Sequence, residues 1–113
     1  MSRYGQAIGI WEISVGGANL RVKPRTGDNL ELMNIFKRNQ GNEAQFSKDI
    51  FDFLVKIISR DEVPQNDQEK DELNQYVEFN LNELIRELMI KFKWTTPEAM
   101  KQMESDVLKK LEA

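Results

Sequence analysis

Six acids crowd one stretch of the chain: Asp61, Glu62, Asp67, Glu69, Asp71 and Glu72. Carboxylate oxygens are the hard ligands that calcium and magnesium take. The spacing matches no dedicated cation loop, and the set reads as a solvated loop leading into a helix. Glu83 and Glu87 stand one helical turn apart, where two carboxyls share a face. Acid–base work by such a pair needs different proton affinities across a cleft. With Arg86 beside them on a polar face, they read as surface charges. Tyr4 and Tyr76 are single phenols with no neighbour in sequence to activate them. The chain holds no Cys and no His. That removes disulfides, Cys or His metal sites, and the nucleophilic dyads and triads built on those side chains. No Walker loop, dinucleotide fingerprint or calcium loop occurs either. The residues therefore lead to the expectation of no enzyme, no metal and no cofactor.

Charge is distributed unevenly. Residues 1–27 hold Arg3, Arg21, Lys23 and Arg25 against Glu12, a net of +3, while residues 61–83 carry a net of −7. An acidic middle repels nucleic acid, and the basic group is small, so no nucleic-acid partner is expected. No apolar run approaches the length of a membrane span. Met1-Ser2-Arg3-Tyr4-Gly5 leads into no apolar segment, so a cytoplasmic location is expected.

The apolar residues are more informative. Trp11, Trp94, Phe36, Phe51, Phe53, Phe79, Phe92 and five Met are many large groups for 113 residues. Methionine and aromatic side chains are favoured where one protein meets another. The expected protein-binding residues are Trp11 in the first strand and Met100, Met103, Val107, Leu108 and Leu111, which recur at helical spacing near the C-terminus. That last stripe either packs on its own domain or docks elsewhere.

These residues need elements to position them. Ile8 to Val15 and Leu20 to Lys23 favour strands, and Gly16-Gly17 between them is a two-residue turn. A turn there pairs Val15 with Ala18, Ile13 with Leu20 and Trp11 with Val22 on one face, leaving Glu12, Ser14, Asn19 and Arg21 on the other. A lone hairpin is marginal in water, so its apolar face must rest on helices or join a larger sheet. An uncovered hairpin edge is a second expected contact surface. Pro24 and Gly27 end the second strand.

Asp28, with Glu31 three residues on, reads as the cap of a first helix. Ser47 reads as the cap of a second helix running to about Ser59. Its stripe of Ile50, Leu54, Ile57 and Ile58 makes it the central helix, with Phe51 and Phe53 widening the apolar surface. From Gln68 to Phe92 the pattern reads as one continuous helix or as two, with a break near Phe79-Asn80. Asn80 and Asn82 favour the break, with Asn80 as cap and Glu83 as its capping-box partner. Thr95-Thr96-Pro97-Glu98 starts a last helix. The expected fold is α+β: an N-terminal β-hairpin followed by a compact bundle of four or five helices. It forms a single domain over 1–113, with a hairpin region over 1–27, a helical core over 28–94 and a C-terminal helix over 95–113.

The hairpin from Ile13 to Val22, the exit Lys23-Pro24-Arg25-Thr26-Gly27-Asp28, and the helical remainder from Asp71-Glu72-Leu73 to Phe92-Lys93-Trp94 come in a distinctive order. In that order the chain resembles the small tail assembly chaperones of long-tailed phages and prophages. The resemblance spans most of the chain and includes no catalytic or ligand motif. Proteins of that family are encoded just before the tape-measure protein and coat or guide it while tail tube subunits polymerise. They are mostly helical and often self-associate, and many also exist in a longer, frameshifted form. The resemblance thus implies a tape-measure protein as partner, self-association, the short form of the product, and the host cell cytoplasm as location. The alternatives are a small acidic adaptor or inhibitor that binds a host enzyme, and a structural component of a virion.

Overall fold

Alternation and the Gly-Gly turn build β1 (Trp11–Val15) and β2 (Ala18–Val22), an antiparallel pair in a computed structural model that describes residues 9–96 and 98–99. The register is the expected one: Trp11 faces Val22, Ile13 faces Leu20 and Val15 faces Ala18. Gly16 and Gly17 both adopt positive φ, at 60° and 81°, as the turn requires. Ile13, Val15 and Val22 are buried on one face, while Glu12, Ser14, Asn19 and Arg21 are exposed on the other.

Four helices follow and form a compact bundle under the hairpin: α1 (Asp28–Arg38), α2 (Glu43–Asp61), α3 (Asp67–Phe79) and α4 (Leu81–Lys91). The central helix is α2, as expected. Its Ile50, Leu54, Ile57 and Ile58 are all buried, and Phe53 joins them in the core instead of merely widening the apolar surface. Leu32 and Ile35 of α1, Val77 of α3, and Leu84 and Leu88 of α4 complete the core.

Two expected caps are corrected. Ser47 lies inside α2, whose cap is Asn42, four residues from Phe46; the Asn42 side chain accepts the Gln45 N–H. Starting there lets Phe46 stack edge-to-face on Phe36, with ring centroids 4.9 Å apart. Asp28 is not a cap either. Gly27, at φ 96°, precedes α1 with no side-chain cap, and the Asp28 carboxylate is turned inward.

The break between α3 and α4 falls at Asn80, as the sequence favours. Asn80, however, makes no side-chain cap for α4; its amide donates back to the Tyr76 carbonyl and closes α3. Glu83 therefore has no capping-box partner there. The α3–α4 corner holds the hairpin tip. The Tyr76 hydroxyl donates to the Val15 carbonyl at 2.8 Å. At the fifth expected helix, Thr96 Oγ1 accepts the Ala99 N–H. The remainder of that helix lies outside the described residues.

Lys93 adopts φ 64°, the left-handed region, and among the described residues is alone in doing so without being glycine. It ends α4 in a paired closure. Its N–H reaches the Ile90 carbonyl and the Trp94 N–H reaches the Met89 carbonyl, the pattern that glycine usually terminates. Lys93→Gly is therefore expected to raise folding stability by about 0.5–1 kcal/mol, because a lysine in this conformation costs about 1–2 kcal/mol and glycine returns part of that as chain entropy. Chemical denaturation of the two proteins measures it.

Candidate functional site

No group of three or more His, Cys, Asp or Glu side chains placed to hold a metal ion occurs among the described residues. The acidic run has other duties. Asp61 and Glu62 accept the backbone N–H groups of Lys23 and Arg21, each at 2.9 Å. Glu69 accepts the Gln65 N–H, and Glu72 accepts the Gln68 amide. Tyr76 is spent on holding the hairpin; burial, and then the charge of Glu83, push its phenol pKa upward.

Among the described residues, an open groove of about 740 Å³ lies at the end of the hairpin far from its turn. Three separated stretches build it: Trp11 from β1, Pro24 to Gly27 of the β2–α1 connection with Asn29 and Leu30 of α1, and Lys91 to Lys93 at the end of α4. Trp11 meets Phe92 edge-to-face at 4.8 Å. Behind them, Trp94 stacks against Phe36 at 5.5 Å and donates its indole N–H to Asn29 Oδ1 at 2.6 Å. These contacts fix the aromatic wall. Leu30 lies opposite the buried Leu32–Ile35 side of α1 and is 64% exposed beside the groove.

Arg25, Lys91 and Lys93 also line the groove. Arg25 faces Asp61 at 3.9 Å with its side chain largely in solvent, a separation worth little. Among the described residues neither Lys91 nor Lys93 has a carboxylate partner. Trp11, Phe92 and Leu30 side by side with three cations suit an amphipathic polypeptide whose apolar stripe is flanked by acids.

Of the residues expected to bind protein, Trp11 lines this groove, half-buried. Met100, Met103, Val107, Leu108 and Leu111 lie outside the described residues. Sequence reasoning missed Leu30, Lys91 and Lys93. The signal for Leu30 was present: it falls out of phase with the Leu32–Ile35 stripe, so the helix cannot bury both.

Beneath the groove, Asp28 holds the connection in place. Its carboxylate accepts the Arg25 N–H at 2.8 Å and takes both ends of the Arg60 guanidinium, at 2.7 and 3.2 Å. Burial works against its charge, but the Arg60 and Arg25 hydrogen bonds outweigh burial and hold its pKa below the ordinary value. A similar cluster closes the α1–α2 turn. Buried Asn39 donates to the Ile35 carbonyl and to Asp49, whose carboxyl is held low by Asn39 first, then by Gln45 and Arg38. No helix among the described residues is long and apolar enough to cross a membrane. No protein-family model, curated protein or solved structure matches the chain.

Proposed function

We propose that this chain is a non-catalytic assembly protein that holds another polypeptide in the Trp11–Phe92 groove. The observation that carries the reading is the groove's make-up: a fixed aromatic wall, an exposed Leu30 and two lysines with no carboxylate partner among the described residues. An exposed apolar patch of this kind marks a contact surface more often than a chemical site. The sequence resemblance directs the choice of client to a phage tape-measure protein, which makes the chain a tail assembly chaperone. A long helical client offers the amphipathic face that such a groove accepts, and the net acidity of the chain limits its own precipitation.

Finding a tape-measure gene beside the gene for this chain, and co-expressing the two full-length products, tests the reading. The two are expected to co-purify. Leu30→Asp, at an exposed helix position, is expected to leave the circular dichroism unchanged and weaken the complex about tenfold or more. Absence of a complex with the native chain, or equal binding by the variant, counts against the proposal.

A further inference from the structure

A second open groove, of about 360 Å³, runs between β2 and α3. Two ties set the direction of its walls. Glu62, before α3, takes the Arg21 N–H, and Tyr76, near the end of α3, donates to the Val15 carbonyl beside the turn. The helix therefore runs back along the strand. Ala18 and Leu20 line the gap from β2 and Leu73 lines it from α3, all of them half-buried, and Val63 of the connecting loop is 58% exposed beside them. Leu20 shares the core face of the hairpin with Ile13 and Val22, yet unlike them it is not buried. Glu62, Glu69 and Glu72 also line the groove, and no lysine or arginine does. Their hydrogen bonds go to uncharged groups: the Arg21 N–H, the Gln65 N–H and the Gln68 amide. Among the described residues no cation pairs with any of the three.

We propose that this groove docks a cationic segment of a second protein, in which lysine or arginine flanks aliphatic side chains. Charge complementarity selects the occupant. Three glutamates without a counter-charge repel an acidic partner and attract a basic one. A lysine or arginine lays its stem along apolar surface and turns its charged head outward, here toward the glutamates. Aliphatic neighbours on the same segment would cover Leu20, Leu73 and Val63. The groove is too open to enclose a small molecule, which a ligand pocket buries over most of its surface. The site is separate from the Trp11–Phe92 groove, whose charged side chains are basic, and the inference does not rest on that reading.

Fluorescence anisotropy with the full chain tests the proposal, the probe being a short labelled peptide of alternating lysine and leucine. At physiological ionic strength this peptide is expected to bind. Peptides that alternate lysine with serine, or glutamate with leucine, are expected to bind at least about tenfold more weakly. Glu72→Lys and Val63→Ser, both at exposed positions, are each expected to weaken binding about fivefold or more, whereas Leu30→Asp in the other groove leaves it unchanged. Failure of the lysine–leucine peptide to bind overturns the proposal. Equal binding of the lysine–serine peptide does so too, because charge alone would then suffice. Binding that either groove variant leaves unchanged, or that Leu30→Asp weakens, places the peptide elsewhere and overturns it as well. Displacement of the peptide by spermine at equal charge concentration has the same force, because the groove would then be recognising a small cation.

Discussion

Asp28→Ala is expected to cost about 3 kcal/mol of folding stability, measured by urea denaturation at neutral pH. Asp28 is 5% exposed, and its carboxylate serves three donors: two guanidinium nitrogens of Arg60 and the Arg25 N–H. Removing it leaves a cation with restricted access to water and a backbone donor without its acceptor. Losing one member of such a pair costs more than losing both. Arg60 is already imperfectly served, since its Nε is buried and meets no hydrogen-bond partner among the described residues. Combining Asp28→Ala with Arg60→Met is accordingly expected to recover most of the loss. Should the double variant be as unstable as the single one, the loss would belong to the Arg25 turn and not to the ion pair.

The same group sets a pH dependence of definite sign. Its folded pKa lies below the ordinary 3.8. A depressed carboxyl contributes its stability above the unfolded pKa and loses it as pH falls through the folded value. The gap between the native chain and Asp28→Asn is thus expected to be constant from neutral pH down to about 5, then to shrink as pH falls below about 4. A gap that widens with acid would contradict the assignment.

Gly16→Ala is expected to cost about 2–4 kcal/mol, from two sources that can be separated. The first is conformational: φ at this position is +60°, where an alanine pays about 1–2 kcal/mol. The second is a collision. A Cβ on Gly16 would stand 2.5 Å from Asn80 Oδ1 and 2.8 Å from its Cγ and Nδ2. Asn80 cannot swing aside without giving up its hydrogen bond to Tyr76 at the end of α3. Gly17→Ala supplies the comparison, because Gly17 has φ 81° but, its chain neighbours apart, no atom of the described residues lies within 4 Å of its would-be Cβ. It is expected to pay only the conformational part, about 1 kcal/mol. Equal losses in thermal denaturation would show that the hairpin tip does not rest on the α3–α4 corner as described.

The two variants mark the boundary of what the sequence reveals. The hairpin register was legible because Gly16-Gly17 admits one short turn, and that turn dictates every pairing along five-residue strands. The α2 stripe and the interruption at Asn80 were legible for a similar reason, since both are local patterns. Caps were less so. Ser47 and Asn42 are equally good caps chemically, and the choice between them depends on Phe46 reaching Phe36, a tertiary contact. Asp28 looks like a cap from its neighbours and becomes an ion-pair partner only through Arg60, in another helix. Tyr76 appeared partnerless because its acceptor, Val15, is 61 residues away. The groove was hidden most fully. Only one of its aromatic residues, Trp11, was singled out in advance, because its three stretches meet only once the bundle has closed.

Both tryptophans of the chain flank a single ring. Phe92 lies 4.8 Å from Trp11 and 6.4 Å from Trp94, by ring centroids. Indole emission from this protein is thus a local signal, reporting the solvation of one end of the molecule and silent about the turn of the hairpin at the other. A shift in its colour on adding a candidate client locates the event without any label.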